Sequence, residues 1–102
     1  MSSQTVNFLE LFKEKKYSTI ISIIDNKLTE NQKTAGLLNL KGVCRLMISN
    51  SSESVKLAVE DFRKSYHKEK DKNKLVEPIK NLINASVILF ETEFVKNERF
   101  LD

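Results

Sequence analysis

Two residue types that commonly carry enzyme chemistry occur once each in this chain, as Cys44 and His67. A nucleophile or general base needs a partner side chain that activates it, and a metal site needs several ligands at suitable spacing. Cys44 lies in the most apolar stretch, where a cysteine is expected to be a small buried hydrophobic residue. His67 lies near a predicted helix end, where the helix dipole favours a cation. We therefore expect no catalytic, cofactor-binding or metal-binding residues and no enzymatic activity.

A cluster of basic residues is the other feature that could bind a ligand. It comprises Arg63, Lys64, Lys68, Lys70, Lys72 and Lys74. Such a cluster can contact phosphates or an acidic protein. Single-strand recognition usually adds aromatic side chains on which bases stack, and only Tyr66 lies nearby. Because Glu69 and Asp71 also dilute the charge, a solvated helix end is favoured and a nucleic-acid partner is not expected.

The composition predicts a single all-α domain. The 102 residues are 40% hydrophobic, yet they include only two Gly and one Pro, whereas β-sandwiches and barrels need many turn residues. The net charge of +3 is spread along the chain, and the single cysteine excludes an internal disulfide. The start of the sequence is polar, and no apolar run approaches the ~20 residues of a membrane span. We expect a cytoplasmic protein that does not use a membrane.

Hydrophobic periodicity divides the chain into six helical segments. They are predicted at about 5–15, 17–28, 34–48, 52–70 and 77–90, with a sixth beginning at 92. Ile20, Ile24 and Leu28 are spaced four apart, which favours a helix, although this β-branched run could also suggest a strand. Ser52 or Ser54 is expected to cap the fourth segment. Short connections would make consecutive helices antiparallel neighbours.

The third segment is the most apolar, so its two basic residues indicate which side of the helix faces solvent. Lys41 and Arg45 are four residues apart, so they lie on the same side of a helix. We expect them to form one narrow solvent-exposed edge on a helix that is otherwise covered.

Similar residues recur at a regular distance along the chain. A large apolar residue follows each predicted helix-to-helix junction, as Tyr17, Val55 and Phe94, at separations of 38 and 39 residues. A period of this length is typical of two-helix repeats. The predicted pairs span about 5–30, 34–70 and 77–102.

Two stretches within the second pair carry a family resemblance. The segment Asn39–Val43, with the sequence NLKGV, and the segment Ala58–Tyr66, with the pattern small, aromatic, small, resemble the two helices of the tetratricopeptide repeat family. The resemblance implies a right-handed stack of antiparallel helix hairpins. It also implies that Gly42 lets two helices approach closely, and it aligns Lys15 with a position where the family usually has glycine.

The same resemblance implies a concave groove lined by the first helix of each pair. The candidate groove residues are Leu9, Phe12, Asn39, Val43, Leu46, Met47, Ser86, Leu89 and Phe90, with Lys13 and Leu82 beside them. Val43, Leu82 and Leu89 fit an ordinary core position equally well. Some family members clamp a chaperone's C-terminal carboxylate with Lys, Asn and Arg in this groove. The matching positions here are Thr5, Leu9, Leu40, Ile79 and Ile83, so that activity is not expected and the groove is mainly apolar.

The leading functional hypothesis is a non-enzymatic adaptor or scaffold that binds a protein or peptide, such as an amphipathic helix, in this apolar groove. Self-association into a homo-oligomer would cover the same surface. The alternative is that the chain is the N-terminal repeat segment of a larger protein, acting in self-association or in positioning another domain. In that case Phe94, Phe100 and Leu101 would face a further helix.

Overall fold

A computed structural model describes residues 6–49 and 51–97, with side chains described up to residue 91. Five α-helices form within these residues: α1 (Phe8–Lys13), α2 (Tyr17–Lys27), α3 (Ala35–Ile48), α4 (Ser52–Lys68) and α5 (Val76–Asn97). Single 3-10 turns at Glu30–Gln32 and Lys72–Lys74 precede α3 and α5. This part of the chain contains no strand, so the predicted all-α class is confirmed there, and Ile20 and Ile24 are helical.

Side chains next to the helices fix where several of them begin. The Asn7 side chain accepts a hydrogen bond from the Glu10 amide, and the Thr34 hydroxyl accepts one from the Leu37 amide. For α4 the prediction was wrong by one position, because Ser51 is the cap and its hydroxyl accepts from the Ser54 amide. Each cap satisfies an amide that has no partner within its helix.

The fifth helix differs most from the prediction. Instead of a junction at Thr92, α5 continues without a break from Val76 to Asn97. The sequence Glu91-Thr92-Glu93 contains neither glycine nor proline, and a helix at this point has no local reason to end. The predicted start of a sixth helix at Thr92 is therefore wrong, and its continuation over 98–102 lies outside the described residues.

The helices pack mainly against their neighbours in the chain, and α3 also contacts α5. One cluster, centred on the buried residues Ile20, Ile24 and Cys44, joins α1, α2 and α3. A second cluster, formed by Val55, Ala58, Phe62 and Ala85, joins α3, α4 and α5. Helix α3 contributes to both clusters, so it is the element that all the others are arranged around.

Candidate functional site

One apolar site that contains predicted residues lies between α1 and α3. Its lining consists of Phe8, Leu9, Phe12, Leu40 and Val43, and we call this site the α1–α3 pocket. It has a volume of about 300 Å³. Leu9 is 65% exposed and forms part of the rim, whereas the other four are half-buried. Such a pocket can accept an apolar side chain and offers no group for acid–base chemistry.

Local contacts hold α1 in place beside this pocket. The rings of Phe12 and Tyr17 meet edge to face, with centroids 5.3 Å apart. Between them the chain reverses, since the Lys15 amide donates to the Phe12 carbonyl and the Lys16 amide donates to the Leu11 carbonyl. These two bonds satisfy carbonyls at the end of α1. The short helix is thereby fixed against α2 even though it contains no buried residue.

The predicted groove residues do not all share one site. Leu9, Phe12 and Val43 line the α1–α3 pocket, while Ser86 and Phe90 line a second pocket on α5, of about 560 Å³, with Leu82, Ile83, Val87 and Glu91. Leu46 and Leu89 are half-buried and pack against the second core cluster, as do Val43 and Leu82. Met47 is exposed near the end of α3. Lys13, the neighbour of Phe12, is exposed at the end of α1.

Asn39 makes a specific contact with another helix. Its side-chain oxygen accepts a hydrogen bond of 2.9 Å from the Asn81 amide nitrogen on α5, and both residues are half-buried. This amide pair ties α3 to α5. Asn39 therefore has a structural partner within the chain, and a ligand would have to compete with it.

The predicted basic cluster is divided between different surroundings. Lys64 and Lys68 line a pocket of about 360 Å³ together with Glu30, Lys33, Leu38, Lys41 and His67. Lys74 lines a smaller one near Glu69 and Glu77, and Arg63 lies 3.6 Å from Glu60. Lys70 and Lys72 are exposed. Four of the six cations thus have a carboxylate close by, which weakens the attraction for a polyanion.

The pocket that contains Lys64 and Lys68 is partly neutralised. Lys33 forms an ion pair of 3.1 Å with Glu30, and this neighbour lowers the pKa of the Glu30 carboxyl. The Lys68 ammonium donates a 2.7 Å hydrogen bond to the Glu30 backbone carbonyl. Sequence reading missed Lys33 and Lys41 as neighbours of this site, since they come from other parts of the chain.

A charged cluster of four residues links three helices: Asp25 on α2, Lys41 and Arg45 on α3, and Asp61 on α4. The Lys41 ammonium lies 2.5 Å from Asp25 and 3.6 Å from Asp61, and the Arg45 Nε atom lies 2.5 Å from Asp61. The Lys41 side chain is only 12% exposed. The predicted solvent-exposed edge is therefore wrong: the two cations face carboxylates on neighbouring helices, and their charges are balanced there.

Cys44 and His67, the two residues with potential for catalysis, lie in different environments. Cys44 is buried, and desolvation raises the pKa of its thiol to about 11. A neutral, inaccessible thiol is a poor nucleophile. His67 is exposed, and its ring meets that of Tyr66 at 5.3 Å. Among the described residues, no group of three or more His, Cys, Asp or Glu side chains could hold a metal ion.

Comparisons with known proteins do not place this chain in a family. No protein-family model, no curated protein and no solved structure matches this chain. Over the described part of the chain, none of the helices combines the length and the apolar character that crossing a membrane requires.

Proposed function

We propose that this chain is a non-enzymatic adaptor that binds a protein or peptide by receiving an apolar side chain in the α1–α3 pocket. The observation that carries the proposal is the lining of this pocket, which is entirely apolar and reaches the surface at Leu9. Exposed apolar concavities of this kind commonly mark binding sites for proteins or small ligands. The resemblance to tetratricopeptide repeats, whose first helices line a groove, supports the same function.

The dimensions of the pocket favour a particular ligand. A volume of about 300 Å³ lies at the small end of the range for ligand sites, so it suits one or two side chains and not a large cofactor. An amphipathic helix presents apolar side chains at intervals of three or four residues and could place one beside Leu9 and Phe12. The partner is therefore a peptide with a bulky apolar anchor such as Leu, Phe or Met.

A peptide library selected against the purified protein tests this proposal. We expect enrichment of peptides with apolar residues at helical spacing, and we expect their binding to shift the amide NMR signals of Leu9, Phe12 and Leu40. Leu9→Asp should weaken binding by at least about tenfold, because it removes the burial of a leucine and adds a charge.

The matched control is Leu57→Asp on α4, since Leu57 is 51% exposed and lines none of the pockets described above. This variant should bind as tightly as wild type. Selected peptides that bind Leu9→Asp as well as wild type, or that shift signals only elsewhere, would show that the α1–α3 pocket is not the binding site.

Self-association is a second candidate function, and a separate observation favours it. Helix α5 carries several exposed apolar side chains that lie outside the α1–α3 pocket.

A further inference from the structure

One pocket in the structure has a surplus of positive charge. Its lining includes four lysines and a single carboxylate, and we call it the lysine pocket: Lys33, Lys41, Lys64, Lys68 and Glu30. The lysines come from the connection before α3, from α3 itself and from α4. Ammonium groups that converge on one concavity repel each other, so a site of this composition favours an anion between them.

Neighbouring carboxylates balance only part of this charge. Lys33 lies 3.1 Å from Glu30, and Lys41 lies 2.5 Å from Asp25. The two lysines of α4 form no ion pair with any residue whose side chain the structure describes. They are four residues apart, and a like-charged pair at this spacing destabilises a helix. Two ammonium groups on one face of α4 therefore lack a counter-charge of their own.

The Glu30 carboxylate reports the electrostatic potential at the rim of the lysine pocket. The pKa of this carboxyl is lowered, first by the hydrogen bond and charge of Lys33, and further by the charges of Lys68 and Lys64. Lys68 is held beside it, because its ammonium donates a 2.7 Å hydrogen bond to the Glu30 backbone carbonyl. That bond uses one of three N–H donors, so two remain for a ligand. The surroundings of the rim thus favour a negative charge.

The rest of the lining limits the size and character of a ligand. Leu38 is 7% exposed and provides an apolar wall, and His67 lies on the same side of α4 as Lys64 and Lys68. The volume of about 360 Å³ is more than an isolated anionic group would fill, and it lies at the small end of the range for small-molecule sites. A compact organic molecule that carries an anionic group therefore fits.

We propose that the lysine pocket binds a small phosphomonoester, with its phosphate between Lys64 and Lys68 and its organic group against Leu38. A phosphomonoester carries about 1.5 to 2 negative charges at neutral pH, which matches the two lysines without an ion pair, whereas a carboxylate carries one. Lysine binds phosphate as a point charge, and its ammonium can direct its donors to different phosphate oxygens. The ring of His67 can donate a further hydrogen bond.

The arrangement fits a small molecule better than a nucleic-acid strand. The four lysines surround one concavity, whereas a strand needs cations along an extended groove and aromatic side chains on which its bases stack. The ligand class is therefore a free organic phosphate of low molecular weight.

An amide NMR titration of the isotope-labelled full chain tests the proposal, at about 20 mM salt and about pH 7.5, so that the attraction is weakly screened and the phosphate is a dianion. The probes are inorganic phosphate, glycerol 3-phosphate, a hexose 6-phosphate and a nucleoside 5′-monophosphate, each ester with its unphosphorylated parent. We expect saturable shifts at Lys64, His67 and Lys68 with the esters and none with the parents. At least one ester should bind at least about tenfold more tightly than inorganic phosphate. No saturable shift below about 10 mM of any ester, or equal affinities for the esters and inorganic phosphate, would overturn the proposal.

Substitutions that change one charge separate a site from general attraction. Lys64→Gln should weaken binding of the tightest ester at least about fivefold, because it removes a charged donor. Glu30→Gln should strengthen it about threefold, because it removes a competing carboxylate and frees Lys33. The matched control is Lys80→Gln, since Lys80 is an exposed lysine on α5 that lines none of the described pockets, and this variant should bind like wild type. Equal weakening by the two lysine substitutions, or weaker binding by Glu30→Gln, would contradict a specific site.

The fold of each variant is checked by circular dichroism. Lys64 is exposed, so its replacement should leave the helical signal intact. If that signal nevertheless falls, Lys68→Gln decides the question by the same criterion. A phosphoserine peptide presents the same phosphate group from a different source. If this peptide binds more tightly than every small ester, the assignment to a small molecule is overturned.

The lysine pocket is separate from the α1–α3 pocket. On α3 its members Leu38 and Lys41 lie about 160° around the helix axis from Leu40 and Val43, which line the other pocket. The inference does not rest on the proposed peptide site, since Leu9→Asp should leave ester binding unchanged and Lys64→Gln should leave peptide binding unchanged.

Discussion

Gly42 on α3 lies against the ring of Phe62 on α4, and a Cβ atom at position 42 would be only 2.5 Å from Phe62 Cε1. Side chains do not approach this closely, and the fully buried ring has little room to move. The close helix approach that was expected at Gly42 is therefore confirmed. It brings α3 near enough to α4 for the buried Ser65 hydroxyl to donate a 2.7 Å hydrogen bond to the Ala35 carbonyl.

Replacement of Gly42 by alanine should destabilise the protein. The added methyl group gains up to about 1 kcal/mol in helix propensity, but forcing it into the ring should cost more, for a net loss of about 1–2 kcal/mol. Urea unfolding monitored by circular dichroism measures the difference. Gly36→Ala is the control in the same helix, because its nearest heavy atom is Thr34 Oγ1 at 4.0 Å, and it should stabilise. Equal effects of the two substitutions would contradict the close packing at Gly42.

Replacement of Lys15 by glycine should stabilise the folded protein. It is the only non-glycine residue of the described chain with a positive φ, 61°, and it follows the end of α1, where glycine is preferred. Lys15→Gly removes a left-handed strain of about 1 kcal/mol and should raise the free energy of unfolding by roughly half that or more. Lys13→Gly, two residues earlier and inside α1, should lower it. If Lys15→Gly is also destabilising, the turn must have another conformation.

Asp61 should be the most sensitive member of the charged cluster. Asp61 is 3% exposed and accepts a hydrogen bond from Arg45 while lying 3.6 Å from Lys41. Asp61→Asn would therefore leave the poorly solvated Arg45 without its carboxylate and would leave Lys41 with Asp25 alone. The expected cost is about 3 kcal/mol. Asp25→Asn should cost less, because the Asp25 side chain is 36% exposed. Glu60→Gln, beside Asp61 but exposed, should change the unfolding free energy by less than about 0.5 kcal/mol. A double-mutant cycle on Arg45 and Asp61 that finds no coupling would contradict this picture.

Stability should fall at alkaline pH partly because of Cys44. Its pKa is raised from an ordinary 9.0 to about 11, so the folded state keeps the thiol protonated while the unfolded state ionises. The contribution of the thiol is therefore fully present below pH 9 and is lost as the pH rises towards 11. Between pH 8 and pH 10, wild type should lose roughly 1.5 kcal/mol more unfolding free energy than Cys44→Ala, which lacks the thiol. An equal loss in both proteins would show that the thiol is not desolvated.

The reactivity of the same thiol gives an independent measurement. At neutral pH, iodoacetamide should modify Cys44 slowly in the folded protein and rapidly in urea, because the reagent attacks the accessible thiolate. Modification of folded protein at the rate of a free cysteine would contradict the burial of this side chain.

Local information in the sequence determined the helices and much of the core. The four-residue spacing of Ile20, Ile24 and Leu28 correctly indicated a helix, and Ile20 and Ile24 are buried in it, because residues three or four apart share a face whatever the helix packs against. The left-handed position at Lys15 and the close approach at Gly42 were also marked in the sequence, where the resemblance associated both positions with glycine.

Only the tertiary structure decided which side chains meet across helices. Lys41 pairs with Asp25 and Asp61, and Asn39 with Asn81, 42 positions away; such contacts depend on the spacing and rotation of packed helices, which periodicity does not specify. For the same reason the predicted groove residues were divided between the α1–α3 pocket and α5. Helix α5 has apolar residues on two sides, and the packing of α4 against one of them left Val76, Ile79, Ile83 and Val87 on the other side exposed, because a helix can bury only the side that a neighbour covers.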